Sequence, residues 1–184
     1  MGKVNLRAVE GESRSLVETN PFLETDLQHS TYVASEVAEE VADVEVINTD
    51  FIFNFEIDSH VVGGSSAGAA ATVAVIAALE NKTVRDNAVI TGTIREDGSI
   101  GRVSDILPKA RVVADEGYDK FLIPQSQSTM VYYERIGEKR AGDYEFLGKI
   151  LRPVKIDLKE ELKEWDIELI EVSHIEEVKE YMLE

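Results

Sequence analysis

Residues 63–71 read Gly-Gly-Ser-Ser-Ala-Gly-Ala-Ala-Ala, between a strand-like run and a helix-like run. Small residues let the backbone turn sharply and let another molecule come close to it. A helix starting here aims its free N–H groups and its positive dipole end at whatever lies in front of the turn. A serine at such a place is either a nucleophile with oxyanion donors beside it or a helix cap. A nucleophilic serine needs a base. No Gly-x-Ser-x-Gly elbow occurs, which disfavours a Ser-His-Asp hydrolase. Lysine is the usual substitute, once burial or a positive neighbourhood keeps it neutral. Lys109 lies in the first turn of a predicted helix, where the dipole disfavours an ammonium, among Ile106, Leu107, Ala110, Val112 and Val113. The same position also suits an ordinary exposed lysine.

Other chemistries find less support. No phosphate-loop pattern is present, and the glycine stretch lacks the lysine such a loop needs. Gly98-Ser99-Ile100-Gly101 reads as a hairpin rather than a strand-to-helix turn. His29, His60 and His174 have no metal-ligand spacing, and no metal or organic cofactor is expected. His60, just before the glycine turn, is either a structural or surface residue or a neighbour of a site. The chain has no cysteine, which excludes disulfides and thiolate catalysis. A net charge of −17 argues against nucleic-acid binding, because phosphate needs a basic face. The longest apolar stretch, residues 67–79, is too short to span a bilayer, and the start shows no apolar leader, so neither a transmembrane nor a secretory segment is predicted.

The elements that must position these residues follow from periodicity. With 184 residues and 43% apolar content, the chain suits one folded domain. Strands are predicted over 4–8, 50–57, 88–94, 119–123 and 167–172, with the clearest alternation at Phe51, Phe53, Phe55 and Ile57. Residues 11–26 read as loop or short strand. Helices are predicted over 30–41, 67–80, 105–116, 157–165 and 173–183. The second is apolar on nearly every side and should be buried. Ser104 or Asp105 should cap the third, and Ser173 the last. Glu96-Asp97-Gly98-Ser99 should form a hairpin turn, with the chain returning over 100–103. Beyond Gln125 the signal weakens, with strand-like pieces over 144–156. Helices alternating with strands predict an α/β or α+β domain with a single mixed sheet and flanking helices. Its core should occupy about 1–127, with a C-terminal α/β extension over about 128–184.

The stretch 61–127 resembles the proteolytic domain of the Lon family. Ser66-Ala67-Gly68-Ala69-Ala70 is similar to that family's nucleophile motif, Thr91-Gly92-Thr93-Ile94 to its Met-Thr-Gly strand, and Gly98-Ser99-Ile100-Gly101 to its following hairpin. Lys109-Ala110 with Phe121-Leu122-Ile123-Pro124 is similar to its lysine helix and next strand. The resemblance is strongest to archaeal Lon-like serine proteases that lack an ATPase, through Asp26-Leu27-Gln28-His29-Ser30 and the segment 154–160.

The resemblance implies a Lon-like fold and an ATP-independent serine endopeptidase. Ser66 would be the nucleophile and Lys109 the general base, with Thr91 orienting the lysine and backbone N–H groups near Ser66 and Ala67 holding the oxyanion. Unfolded or flexible polypeptides would be the substrates, a separate unfoldase is conceivable, and homo-oligomers such as rings are expected. Two positions depart from the family pattern. Ser65 replaces a proline, and Ser104-Asp105 replaces a glycine pair. A carboxylate within a turn of Lys109 favours its charged form. The alternative expectation is therefore a catalytically weak or inactive binding or assembly module.

Overall fold

The structure is a computed structural model that describes residues 2–140 and 147–184. Along the chain run β1 (Lys3–Glu10), β2 (Ser15–Val17), β3 (Phe22–Leu23), α1 (Thr25–Ala42), β4 (Thr49–Glu56) and β5 (Val61–Val62). A 3-10 turn (Ser65–Ala67) then leads into α2 (Gly68–Leu79). Next come β6 (Ala88–Ile90), β7 (Thr93–Ile94), β8 (Ile100–Gly101), α3 (Ile106–Asp115) and β9 (Lys120–Pro124). Last are β10 (Thr129–Arg140), β11 (Leu147–Asp157), α4 (Leu158–Lys163), β12 (Glu168–Val172) and α5 (Ile175–Met182).

The phenylalanine alternation builds the first layer. β4 lies between β1, antiparallel, and β2, parallel. Phe51, Phe53 and Phe55 all point to one face and are buried in the main core with residues of α1 and α2. At the far end Asp50 is buried, where it accepts hydrogen bonds from the backbone N–H of Glu12 (2.8 Å) and Arg14 (3.0 Å) and an ion pair from Arg14 Nη2 (2.6 Å). The Arg14 guanidinium, aided by the two N–H groups, lowers the Asp50 carboxyl to about 2. That clasp fixes the turn between β1 and β2.

The second layer is a three-stranded parallel sheet with β9 at its centre, flanked by β6 and β12. Its central strand β9 buries apolar residues on both faces, as a strand covered on both sides of a parallel sheet does. In β9, Phe121 and Ile123 pack with Ile106, Ala110 and Val113 of α3 and Leu158 and Leu162 of α4. Leu122 faces the other way, into the main core with Val75 and Ile76 of α2 and Val178 of α5. β12 and α5, beyond residue 127, thus share sheet and core with β9 and α2. Mixed helices and strands agree with the expected α+β class, but the strands form several small sheets rather than one mixed sheet.

Four boundaries differ from expectation for identifiable reasons. Helix α1 begins at Thr25, five residues before the predicted start, because its inward stripe includes hydroxyls. Ser30, Thr31 and Ser35 are buried, and their Oγ atoms donate to the carbonyls of Asp26, Gln28 and Thr31. The predicted strand over 88–94 is divided at Thr91-Gly92 into β6 and β7. α5 is capped by His174 rather than Ser173. His174 Nδ1 accepts from the Glu176 N–H (3.4 Å), while the Ser173 hydroxyl donates to Glu177 (2.6 Å). Strand-like pieces were expected only over 144–156. The structure instead pairs β10 with β11 in a long antiparallel ribbon, and residues 144–146 lie outside the described residues.

Candidate active site

Ser66 lies in the 3-10 turn between β5 and α2 and is half-buried. Gly64 enters that turn at φ +90°, a conformation that side chains rarely adopt. Its N–H donates to Asp26 Oδ2 at 2.9 Å, so the first turn of α1 holds the approach to the serine. Gly68 starts α2 hard against β7, where a Cβ would stand 2.9 Å from Ile94 Cγ2 and 3.0 Å from the Ile94 nitrogen. The small residues of this segment therefore serve close packing as well as turning. Ser66 Oγ makes no hydrogen bond among the described residues, so the hydroxyl is unengaged.

The break between β6 and β7 ties the turn to the sheet. Gly92 donates its N–H to the Ser66 carbonyl (3.0 Å), and its own carbonyl accepts from the Ala69 N–H (3.0 Å). The Thr91 N–H meanwhile donates to the Leu122 carbonyl of β9 (3.1 Å). Gly92 has no room for a side chain: a Cβ would meet Ile100 Cγ2 at 2.6 Å. Two adjacent residues thus connect the serine turn to the central strand.

Thr91 also reaches the lysine. It is 6% exposed, and its Oγ1 accepts a hydrogen bond from Lys109 Nζ at 3.1 Å. Lys109 is half-buried in the first turn of α3, with its backbone N–H bonded to the Asp105 carbonyl at 3.2 Å. Burial pushes the Lys109 ammonium below the ordinary lysine range, and the Asp105 carboxylate opposes this with a smaller effect. No ion pair joins Lys109 to Asp105 among the described residues. Asp105 occupies the N-cap position expected of it, but at φ +57° and with no capping bond from its side chain. This left-handed conformation is one glycine adopts freely and aspartate tolerates.

Lys109 through its side chain and Ser66 through its backbone carbonyl are thus each tied to one of the adjacent residues Thr91 and Gly92 at the break in the strand. No protein-family model and no curated protein matches the chain. The chemistry must accordingly be argued from the residues. A half-buried lysine with a lowered pKa and a serine hydroxyl with no hydrogen bond among the described residues, tied to adjacent residues Thr91 and Gly92, are the kinds of group that base-assisted nucleophilic attack needs. Ser66 and Ala67 both lie in the turn before α2, where leading N–H groups lack intrahelical acceptors.

The histidines sit apart from this arrangement. His174 clips the β7–β8 hairpin to α5, its Nε2–H donating to the Asp97 carbonyl at 2.8 Å. His60 is exposed, and its carbonyl accepts from the Phe22 N–H at 2.9 Å. His29 lines an open groove of about 470 Å³ with Val33, Ile94, Arg95, Glu96 and Asp97. Among the described residues, no group of three or more His, Cys, Asp or Glu is placed to hold a metal ion. The contributions of Asp26 and Gly92 were not foreseen. In the sequence Gly92 reads only as part of a strand, and Asp26 only as the end of the polar stretch 11–26 and the first residue of the segment 26–30.

Proposed function

We propose that the chain is a Lon-like serine endopeptidase that cuts peptide bonds with a Ser66–Lys109 dyad. The neutral Lys109 amine takes the Ser66 hydroxyl proton as Oγ attacks the peptide carbonyl. Backbone N–H groups of the turn at Ser66 and Ala67 stabilise the oxyanion. The resulting ammonium returns its proton to the leaving amine, and the C–N bond breaks to give an acyl-serine. Lys109 then deprotonates a water that attacks the ester, releasing the acid and restoring the hydroxyl. Thr91 is a positioning residue for the lysine. The substrates are unfolded or flexible polypeptides, as the Lon-like resemblance implies.

The observation that carries this reading is the pairing at Thr91-Gly92. One residue holds Lys109 through its side chain, and the next holds Ser66 through its backbone. Casein hydrolysis tests it. Wild-type protein should cleave casein, while Ser66→Ala and Lys109→Met should lose at least about 1,000-fold in kcat/KM, the scale on which removing one member of such a unit acts. A second reading, a binding or assembly module without turnover, is favoured by the lack of a hydrogen bond from Ser66 Oγ to Lys109. It predicts peptide binding that Ser66→Ala leaves unchanged and no cleavage.

A further inference from the structure

We propose, resting on the peptidase reading above, that the groove between α1 and the β7–β8 turn holds the substrate chain beside the scissile bond, and that Glu96 selects a basic side chain there. The groove measures about 470 Å³ and is lined by His29 and Val33 of α1 and by Ile94, Arg95, Glu96 and Asp97. Both walls lead away from the serine turn. On α1, Asp26 holds the Gly64 N–H, and His29 and Val33 follow it on the same face, about one and two helical turns along. On the other wall, Gly92 holds the Ser66 carbonyl, and Ile94 follows two residues later, pressed against Gly68 at the start of α2. A peptide laid across the serine turn can therefore continue into this groove.

The floor of the groove is apolar and its rim is charged. Val33 and Ile94 are buried, while His29, Arg95, Glu96 and Asp97 are exposed. Asp97 and Arg95 are already engaged. Asp97 accepts from the Ser99 N–H (3.0 Å) and hydroxyl (2.6 Å), and Arg95 donates to Ser99 Oγ (3.4 Å) with its guanidinium beside Gly101. Glu96 makes no hydrogen bond or ion pair among the described residues. It faces α1 across the groove. The Tyr32 hydroxyl there is held above the ordinary tyrosine range, chiefly by its hydrogen bond to Glu36 (2.5 Å) and least by Glu96. An unpaired carboxylate on the rim of a groove is matched by a cation, and a few such polar groups set what a groove accepts. The groove's own guanidinium is turned to Ser99, so a lysine or arginine of the substrate is the cation that fits.

Fluorescence anisotropy with the full Ser66→Ala chain tests the proposal. The probes are two fluorescein-labelled peptides, Ala-Ser-Leu-Lys-Leu-Ser-Ala and its counterpart with Glu in place of Lys. The Lys peptide should bind about fivefold more tightly, the scale of one exposed ion pair. Glu96→Lys in the same background should reverse the order, and Glu96→Gln should abolish it. Glu45→Lys makes the same charge change beyond the C-terminal end of α1 and should leave the order as it was. Circular dichroism checks that each variant is folded. If Glu96→Lys is not, Glu96→Gln decides the matter. Equal affinities, or no binding of either peptide, would overturn the proposal. So would an order that the folded Glu96 variants keep, or one that Glu45→Lys alters to the same degree. With the serine restored, kcat/KM for the two peptides should follow the binding order. Cleavage of neither peptide, with the binding order intact, would sink the peptidase reading alone and leave the selection by Glu96 standing.

Discussion

Lys109 Nζ donates to Thr91 Oγ1 at 3.1 Å, across 18 residues of sequence. The bond brings the first turn of α3 to the break between β6 and β7, one residue from the glycine that holds the Ser66 carbonyl. Thr91→Val keeps the volume and removes the acceptor. We expect peptidase activity to fall by about tenfold to a hundredfold, since misplacing a catalytic group by an ångström costs on that order. Thr91→Ser should recover most of it. Thermal unfolding should move little in either variant, which separates positioning from stability.

The pH dependence follows from the burial of Lys109. Only the neutral amine can accept the Ser66 proton, so the rate should rise with pH and level off above the lysine's pKa. Burial lowers that pKa from its ordinary 10.5, so the rise should fall below that value. The Asp105 carboxylate raises it in opposition, so Asp105→Asn should shift the profile to lower pH. Asparagine tolerates the left-handed backbone at this position, which leaves charge as the variable. A profile of kcat/KM against pH for the two proteins measures the shift. An unchanged profile would separate the lysine from the rate.

Gly92→Ala should damage fold and activity together. The new methyl would stand 2.6 Å from Ile100 Cγ2 and 3.4 Å from the Ala69 Cβ, so strand or helix must move. Overpacking of this kind costs about 1–3 kcal/mol. Urea unfolding should show that loss, and cleavage should fall beyond what the unfolded fraction explains, because Gly92 bonds to both Ser66 and Ala69.

Acid stability should depend on Asp50. Its carboxyl is held at about 2 in the folded chain, against about 3.9 for a free aspartate. The folded state is favoured above the unfolded value, and that advantage is lost as pH falls from about 4 toward 2. Asp50→Asn should lose this part of the slope while staying sensitive to other carboxylates. Equilibrium unfolding of both proteins between pH 2 and 6 measures the difference.

The sequence disclosed those elements whose two faces differ. Phe51, Phe53 and Phe55 alternate with Ile52 and Asn54, and β4 lies where that pattern placed it. The glycine turn and the apolar run after it correctly announced α2. α1 was cut short because Ser30, Thr31 and Ser35 look outward by type but face inward, satisfied by backbone carbonyls. The ribbon was obscure because apolar residues line both its faces. Met130 and Tyr132 lie on one and Val131 and Tyr133 on the other, so no alternation marks a strand. At the candidate site, residue types pointed to Ser66 and Lys109. The clasp at Gly92 was invisible, because it uses only backbone atoms and binds residues distant in sequence.

The most direct test of the Ser66–Lys109 reading is a covalent one. The protein would be treated with a fluorophosphonate, which forms a stable adduct with an activated serine, and the modified residue mapped by peptide mass spectrometry. The account predicts stoichiometric labelling at Ser66, faster as pH rises and abolished in Lys109→Met. Labelling at another serine, or equal labelling of Ser66 with and without the lysine amine, would contradict it.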